Sequence, residues 1–279
     1  PVPAGVFGVG AAVTKPACAE PPSNYSPLKV PGTVVKDIDG LEAGTNHGRA
    51  ADKYVYSASV VNQWLEKPST QPKNKKIVFV TFDDGPTTKF TGEQLDNLEK
   101  AGARATFFMI PPQMRDVGKN MLSRSLKMGN ALAIHSYSHD YKYLYHGSAA
   151  NKAKHISCDW DWAMAQSRAI LGSNYFSSAF RYPGGHMSWT NLSQADATLA
   201  KRGVGWIDWN AMSGDADAQR PTTVPGYLQM VKKSIKESNN PNVVVILNHD
   251  TYGKQMTAKA MPSILAWLKS QGYEFGVIA

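Results

Sequence analysis

The sequence has few cysteines, no long apolar run and a modest share of charged residues. Only two cysteines, Cys18 and Cys158, occur in 279 residues, which excludes the dense disulfide framework of small secreted domains. No apolar run reaches the ~20 residues of a membrane-spanning helix, so we expect no transmembrane segment. Charged residues make up 19% of the chain and hydrophobic residues 42%. This balance argues against wholesale disorder and predicts a sizeable core.

Acidic residues are the scarcer charged class. Asp and Glu total 22 against 30 Lys and Arg, a formal net charge of +8. A basic chain can bind nucleic acid, bind an anionic polymer or simply stay soluble. Apart from Lys73, Lys75 and Lys76 the basic residues are scattered, and no nucleic-acid-binding motif is present. We therefore expect no nucleic-acid partner and favour an anionic extracellular matrix.

The first 74 residues differ in composition from the rest. Pro, Gly, Ala and Ser dominate up to Gly32, which predicts irregular chain. The apolar stretch at residues 4–13 is interpreted as a signal-peptide remnant or as a strand against the core. Because the chain begins at Pro1, we expect that a targeting segment was removed and that the protein is extracellular or attached to the cell envelope. There Cys18 and Cys158 could form a disulfide, and two unlinked thiols are the alternative.

From residue 75 onward, buried apolar runs alternate with helical patterns. Strands are predicted at 77–82, 105–110, 131–134, 179–181, 204–207, 243–247 and 275–278. Helices are predicted at 54–66, 91–101, 113–128, 149–171, 191–201, 223–237 and 257–270. Such alternation indicates an α/β fold with a parallel sheet, and seven units favour closure into a barrel. We divide the chain into an N-terminal extension of unknown role, residues 1–74, and an α/β domain, residues 75–279.

Reactive side chains follow the predicted strands at the point where each strand ends. In chain order they are Asp83 and Asp84 after the first strand, His135 and His139 after the third, Arg181 after the fourth, Asp208 after the fifth, and His249 and Asp250 after the sixth. In a parallel barrel these strand ends meet at one rim, where active sites form. Five such coincidences are hard to explain by packing alone.

Two of these residues, His135 and His139, are spaced to share a metal ion. This spacing alone is a weak signal, but Asp84 could complete a set of two histidines and one carboxylate. Three protein ligands with open positions describe a catalytic zinc site. The same set could hold ferrous iron in an oxygenase, although nothing in the sequence indicates a 2-oxoacid co-substrate.

Four motifs now stand in a fixed order: TFDDGP (81–86), HSYSH (135–139), RYPGG (181–185) and LNHD (247–250). In this order they resemble the polysaccharide deacetylase family with the NodB homology domain, carbohydrate esterase family 4. That family includes bacterial peptidoglycan N-acetylglucosamine deacetylases and chitin deacetylases. The resemblance covers residues from about 76 to 279. It implies a distorted (β/α)7 barrel that removes N-acetyl or O-acetyl groups from polysaccharides.

The resemblance also implies a role for each motif residue. A divalent metal, with zinc favoured over cobalt, nickel or manganese, would be bound by Asp84, His135 and His139. Asp83 would be the general base, and Arg181 would hold its carboxylate in place. The backbone N–H of Gly184 would donate to the oxyanion, and His249 would protonate the leaving amine.

Two departures from the family pattern bear on the site. The third motif often has Tyr where this chain has Gly184, so the backbone donor is kept but a wall of the cleft is expected to be lost. The fourth motif usually carries an Asp and a Trp after a strand, and here Asp208, Trp209 and Asp215 are all available. We favour Asp208 as the acid that supports His249, because it ends a predicted strand, and keep Asp215 as the alternative.

Several further side chains lie near the motifs. Aromatic residues there could stack on sugar rings or simply pack around the rim: Tyr137, Tyr141, Tyr182, Trp189 and Trp209. The remaining histidines have no motif partner, which favours surface or capping roles: His47, His146, His155 and His186.

The leading hypothesis is metal-dependent hydrolytic deacetylation of N-acetylglucosamine units in a polysaccharide, with peptidoglycan as the first choice. Chitin or chitooligosaccharides and O-acetylated xylan are alternative substrates. A glycosidase using Asp83 and Asp84 would need two carboxyl groups about 5–9.5 Å apart, which adjacent residues at a strand end suit poorly. A non-enzymatic alternative is an inactive glycan-binding homologue. No pattern in the sequence reports the oligomeric state, and we assume a monomer.

Overall fold

The strand that carries the first motif, Ile77–Asp83, is an interior strand of a parallel sheet. The computed structural model describes residues 10–26 and 29–279. The strands in these residues are β1 (Val55–Tyr56), β2 (Ile77–Asp83), β3 (Ala105–Met109), β4 (Ala131–Ile134), β5 (Ala179–Phe180), β6 (Gly205–Trp206), β7 (Ala211–Met212), β8 (Val243–His249), β9 (Glu274–Phe275) and β10 (Val277–Ile278). All named strand pairs are parallel.

The main sheet runs in the order β6-β5-β4-β3-β2-β8-β7, and β9 pairs with the start of β2. Its two edge strands, β6 and β7, are consecutive in the chain, so the sheet curls round until its edges approach. The strands β6 and β7 are not hydrogen-bonded to each other in this order. The curled, incompletely closed sheet confirms the predicted distorted barrel.

The strand β2 is buried on both faces, as its run of apolar and β-branched residues predicts. Ile77 and Phe79 belong to one core cluster, whereas Val78, Val80 and Phe82 belong to the other. Because successive side chains point to opposite faces of a sheet, this one strand joins the two apolar cores. Polar residues begin only at its carboxyl end.

The helices pack around this sheet. They are α1 (Ala58–Glu66), α2 (Thr88–Ala101), α3 (Met114–Val117), α4 (Lys119–Lys127), α5 (Tyr141–Tyr145), α6 (Ala149–Leu171), α7 (Ser193–Lys201), α8 (Val224–Glu237) and α9 (Gln255–Ser270). Side chains of Ser57, Thr87 and Ser148 accept from backbone N–H groups of the first turn and set the starts of α1, α2 and α6.

Three sequence predictions of elements are wrong in detail. The helix predicted at 54–66 begins only at Ala58, because Val55 and Tyr56 form strand β1. The helix predicted at 113–128 is split into α3 and α4 at Gly118, whose φ of 80° lies in the left-handed region. The last strand, predicted at 275–278, is divided into β9 and β10 at Gly276. A Cβ at Gly276 would lie 2.6 Å from Phe79, so only glycine fits there. The two-residue strands β1 and β7 and the helix α5 are too short for periodicity to reveal.

The described part of the N-terminal extension packs against the α/β domain. The strand β1 pairs with β10, and His47 forms an antiparallel bridge with Ala131. Cys18 and Cys158 form a disulfide, which resolves the alternative left open by the sequence. Of the apolar stretch at 4–13, residues 4–9 lie outside the described residues, and residues 10–13 form neither helix nor strand. Among the described residues, no helix is long and apolar enough to cross a membrane.

Candidate active site

The carboxyl ends of the strands bring the motif residues to one rim. The register of β2 and β8 places Asp83 directly opposite His249. His135 follows β4 and Arg181 follows β5, and Ile134 of β4 pairs with Phe180 of β5. The parallel register therefore gathers side chains that are up to 166 residues apart in sequence (83 to 249).

Three side chains at this rim form a set that could hold a metal ion, here called the ligand set. Asp84, His135 and His139 each offer a ligand atom, and these atoms lie within 4.8 Å of one another. The Asp84 carboxylate oxygen Oδ1 is 3.3 Å from Nε2 of His135 and 3.1 Å from Nε2 of His139. One carboxylate and two imidazoles with open positions suit a divalent cation.

The surroundings of these side chains fit a cation. Nδ1 of His135 lies 2.8 Å from the Arg181 carbonyl oxygen, and this contact orients the ring so that Nε2 faces Asp84. The Asp84 atom Oδ1 is buried and accepts no hydrogen bond among the described residues. Burial raises the pKa of Asp84, but the imidazoles of His135 and His139 outweigh burial and hold that pKa well below its usual range. The carboxylate is therefore ionised at neutral pH.

The backbone at two of these positions adopts a conformation that non-glycine residues rarely use. The φ angles are 74° at Asp84 and 47° at His139, both in the left-handed region. Strain of this kind persists only where the surroundings hold it, and it is concentrated at functional sites. The motifs TFDDGP and HSYSH therefore include two residues whose backbone is left-handed, in addition to the side chains that could bind a metal.

The buried helix residue Asp159 holds the loop between the two histidines. Its carboxylate accepts from the backbone N–H groups of Tyr137 and Ser138 at 2.8 and 3.0 Å and from the Ser138 hydroxyl at 2.6 Å. Burial raises the pKa of Asp159, although these hydrogen bonds oppose the shift. Sequence reasoning missed Asp159, because it lies mid-helix in α6 and only the tertiary fold places it under the loop.

The second carboxylate of the first motif, Asp83, is paired with a buried guanidinium. Nη1 of Arg181 donates to Asp83 Oδ1 at 2.9 Å, as the family resemblance implies. The same nitrogen donates to the hydroxyl of Thr81, and Nε donates to the carbonyl of Ile207. Arg181 is fully buried, and this network fixes its position, so the other oxygen of Asp83 faces the site 3.7 Å from His135.

The acid that supports His249 is Asp215, and the preference for Asp208 is wrong. Asp215 accepts from the His249 backbone N–H, lies 2.8 Å from ring atom Nδ1, and accepts from the Thr257 hydroxyl at 2.8 Å. Burial lowers the pKa of His249, but the Asp215 carboxylate and the acids Asp83 and Asp84 outweigh it and raise the pKa to about 9. His249 therefore carries a proton at neutral pH and presents Nε2 toward the site.

Asp208 instead holds the loop of the third motif. Its carboxylate accepts from the backbone N–H groups of His186 and Met187 at 2.8 and 2.9 Å. Its carbonyl accepts from Nη2 of Arg181 at 2.9 Å. Asp208 thus lies beside β5 and β6, on the far side of Arg181 from the Asp215–His249 pair.

The peptide at Gly184 is oriented by bonds to its neighbours. The carbonyl of Pro183 accepts from the Tyr145 hydroxyl at 2.8 Å and from Trp189 Nε1 at 2.9 Å. In a trans peptide the C=O and the next N–H point in opposite directions, so the Gly184 N–H points away from these donors. Among the described residues it donates no hydrogen bond. An N–H held in this way can serve as an oxyanion donor.

The wall expected to be lost at Gly184 is supplied by other residues. A Cβ at Gly184 would lie 3.3 Å from Trp189 and 3.3 Å from the Tyr141 hydroxyl. Tyr141 is 46% exposed, whereas Tyr137 and Tyr182 are buried in the core. Of the aromatic candidates, Tyr137 and Tyr182 therefore pack, and Tyr141 and Trp189 line the rim. Trp209 packs behind Gly185, where a Cβ would lie 2.7 Å from its ring.

Asp250 lies beneath the site rather than in it. It is buried and accepts from the Thr91 hydroxyl at 2.6 Å. Burial, with the nearby acids Asp84 and Asp83, raises its pKa to about 7 despite that hydrogen bond. A Cβ at Gly85 would lie 2.5 Å from the Asp250 carboxylate, so the glycine of the first motif makes room for this acid.

A family profile and a solved structure both match this chain and point to the same family. The profile of the family described as Polysaccharide deacetylase matches residues 70–201. The fold is similar to a solved CE4 esterase of Streptococcus mutans, with 38% identity over 88% of this chain and 100% of that one and a TM-score of 0.77.

Curated relatives point to the same family. YheN of Bacillus subtilis, a protein named as a polysaccharide deacetylase, is 31% identical over 75% of this chain and 69% of its own length. A peptidoglycan-N-acetylglucosamine deacetylase of Bacillus cereus is 28% identical over 73% of this chain and 69% of its length. A bifunctional xylanase/deacetylase of Pseudobutyrivibrio xylanivorans is 30% identical over 75% of this chain, but the chain spans only 31% of that protein.

Proposed function

Because this chain belongs to the polysaccharide deacetylase family, carbohydrate esterase family 4, we propose that it removes N-acetyl groups from N-acetylglucosamine units of peptidoglycan. One observation carries the proposal: the set Asp84, His135 and His139 lies next to a guanidinium-paired carboxylate, Asp83, and next to an imidazole, His249, that is paired with a buried carboxylate. Hydrolysis of an amide requires a base and an acid close to the reacting carbonyl, and Asp83 and His249 are placed to serve as these two groups. The same arrangement argues against a glycosidase, because Asp84 is committed to the ligand set.

The proposed cation is zinc, held by Asp84, His135 and His139. When bound, it supplies a Lewis acid that polarises the acetyl carbonyl and lowers the pKa of water. Asp83, held in place by the hydrogen bond from Arg181, takes a proton from the attacking water. The N–H of Gly184 donates to the oxygen that becomes negative as the carbonyl is attacked.

His249 completes the reaction. An amine is a poor leaving group until its nitrogen is protonated, and the raised pKa of His249 keeps that proton available at neutral pH. Asp215 orients the ring through Nδ1, so that Nε2 carries the proton that is transferred. The C–N bond breaks, and acetate and a free amino sugar leave.

The choice of polymer rests on relatives and on charge. Peptidoglycan is the named substrate of the Bacillus cereus relative, and the net charge of +8 suits an anionic cell wall. The disulfide between Cys18 and Cys158 supports an extracellular or cell-envelope location, because disulfides persist in oxidising compartments. O-acetylated xylan is kept as a second candidate, since one relative is named a xylanase/deacetylase.

Acetate release tests this proposal. The purified protein is incubated with peptidoglycan, with N-acetylglucosamine oligomers and with acetylated xylan, with and without a chelator, and with zinc, cobalt, nickel or manganese added back. We expect acetate and free amines from peptidoglycan, loss of release with chelator and recovery with zinc. Acetate release from xylan alone would reassign the substrate, and tight binding of glycan without release would identify an inactive glycan-binding homologue.

A further inference from the structure

Part of the N-terminal extension forms one side of the candidate active site. Residues 18–26, here called the strap, lie across the rim beside His139. A groove with a volume of about 620 Å³ separates strap residues Pro22, Ser23 and Asn24 from residues 138–142. Sites for small ligands typically have volumes of about 300–1,000 Å³, so the groove has room for a sugar ring.

The strap is held in place at three points. At its start, Cys18 is bonded to Cys158 of α6, and the Cys18 carbonyl accepts from Trp162 Nε1 at 3.3 Å. In its middle, the carboxylate of Glu20 accepts from the hydroxyl of Tyr137, inside the loop between the two histidines. The groove is therefore built on the same helix and loop that position the ligand histidines.

The third point connects the strap to the carboxylate of the ligand set. The Tyr25 hydroxyl donates to Gln113 Oε1 at 2.7 Å, and Gln113 Nε2 donates to the main-chain carbonyl of Asp84 at 2.6 Å. Asp84 has a left-handed backbone, with φ of 74°, so this bond helps hold a strained position. The strap wall is thus fixed relative to Asp84 as well as to His139.

The lining of the groove matches the chemistry of a sugar. Tyr141 offers a partly exposed aromatic ring, and its hydroxyl also lies beside the oxyanion donor Gly184. Asn24 and Lys142 are exposed on opposite sides and supply hydrogen-bonding groups. Pyranose rings present apolar faces and a rim of hydroxyls, which such a mixture of aromatic and polar groups can contact.

We propose that this groove is a substrate subsite that binds one further sugar of the glycan, next to the sugar whose acetyl group lies at the metal ligands. The inference rests on the proposed function, since a polymer places neighbouring sugars side by side, and the groove is continuous with the site through His139 and Tyr141. The strap thereby makes binding depend on the length of the glycan.

The test compares long and short glycans in wild-type protein and in Asn24→Trp, which fills the groove from an exposed position. Affinities for N-acetylchitopentaose and N-acetylchitobiose are measured by calorimetry, and kcat/KM is measured on the same pair. In wild type we expect the affinity and kcat/KM for the pentamer to exceed those for the dimer by about tenfold. In Asn24→Trp we expect this pentamer-to-dimer ratio to fall to about one. Asn120→Trp, an exposed asparagine on α4 that does not line the groove, should keep the wild-type ratio.

A second variant releases the strap instead of filling the groove. The double variant Cys18→Ser with Cys158→Ser removes the covalent anchor of the strap and should also lower the pentamer-to-dimer ratio. Thermal unfolding of this variant is measured to confirm that the protein is folded. The proposal is overturned if wild type does not distinguish the two oligomers or if Asn24→Trp keeps the wild-type ratio. Acetate release with no effect of Asn24→Trp would refute the subsite alone, whereas an Asn24-dependent affinity without acetate release would refute the proposed activity alone.

Discussion

At the scale of single residues, two adjacent carboxylates have different partners and therefore different chemistry. Asp83 ends β2 and is bonded to Arg181 at 2.9 Å, while Asp84 turns away with a left-handed backbone toward His135 and His139. Although the two residues are adjacent in sequence, the Asp83 carboxylate faces the buried guanidinium of Arg181, and the Asp84 carboxylate faces the imidazoles of His135 and His139. Base and ligand functions should thus separate by mutation.

Asp83→Asn should nearly abolish turnover while leaving metal affinity close to wild type. The amide oxygen can still accept from Arg181, so the packing is kept, but the side chain can no longer take a proton. Loss of a general base typically costs about 10²–10⁴ in rate. Kinetics and zinc titration of Asp83→Asn are compared with those of Asp84→Asn, which should lose the metal. Wild-type turnover in Asp83→Asn would refute the assignment of the base.

Asp215→Asn should move the alkaline limb of the kcat/KM profile to lower pH. The Asp215 carboxylate favours the imidazolium of His249, whose pKa is raised to about 9. Removing that carboxylate lowers the pKa, so the proton needed by the leaving amine is lost at a lower pH. A bound cation also repels the imidazolium, which places the limb of the metal-loaded enzyme below 9 in both proteins.

Asp208→Asn is the matched control for this shift. Asp208 holds the loop at His186 and Met187, whereas the carboxylate bonded to His249 is that of Asp215. Loss of the Asp208 carboxylate should therefore reduce the rate without moving the alkaline limb. An unmoved limb in Asp215→Asn, or an equal shift in Asp208→Asn, would show that His249 is not the acid or is tuned by another group.

At the scale of elements, helix α6 supports the loop that carries both ligand histidines. The loop has positive φ angles at Ser136 and His139, 74° and 47°, and Asp159 accepts two of its backbone N–H groups. The periodic sequence of α6 predicts its bounds correctly, 149–171. Its apolar pattern does not reveal that a buried aspartate faces the loop, because the partner groups are backbone atoms that every residue possesses.

Asp159→Ala should weaken metal binding by about 10–100-fold, the usual cost of removing a group that orients metal ligands. Without the carboxylate, two buried N–H groups lose their acceptor, and the strained loop can relax away from Asp84. Zinc affinity measured by calorimetry on the metal-free protein checks this. Asp161→Ala on the same helix removes a partly exposed partner of Arg202 and should leave zinc affinity unchanged. Equal affinity in Asp159→Ala and wild type would contradict the supporting role.

At the scale of the whole molecule, one disulfide connects the N-terminal extension to the α/β domain across 140 residues. The described extension also pairs with the last strand through β1 and contributes Ile38 and Leu41 to the main core. The extension therefore stabilises the fold as well as bordering the site. The described residues 10–26 and 29–48 contain no helix or strand of two or more residues, so this part of the extension is irregular but still contributes to the core.

Removing the disulfide should lower stability measurably. A cross-link that closes a loop of this length restricts the unfolded chain, and loss of such a bond typically costs about 2–5 kcal/mol. For a chain of this size each kcal/mol corresponds to about 2–4 °C in Tm, so Cys18→Ser with Cys158→Ser should melt about 4–20 °C lower. Calorimetry with and without reductant checks this, and the reductant should not affect the double variant. An unchanged Tm would show that the strap is held without the bond.

The sequence by itself determined the alternation of strands and helices, the rim position of the motif residues and the three residues that could hold a metal ion. These features depend on local patterns: an apolar strand buried on both faces, turn signals at its end, and short motifs whose spacing places ligands together. The tertiary structure alone decided which acid supports His249. Asp208 and Asp215 are seven residues apart, and between them the chain crosses from β6 to β7, from one edge of the sheet to the other. Pairing of Met212 with Leu247 brings Asp215 beside His249. The strand β7 has only two residues, so its sequence has no periodicity that could predict it. It forms because the edge of β8 that is not paired with β2 can hydrogen-bond to it.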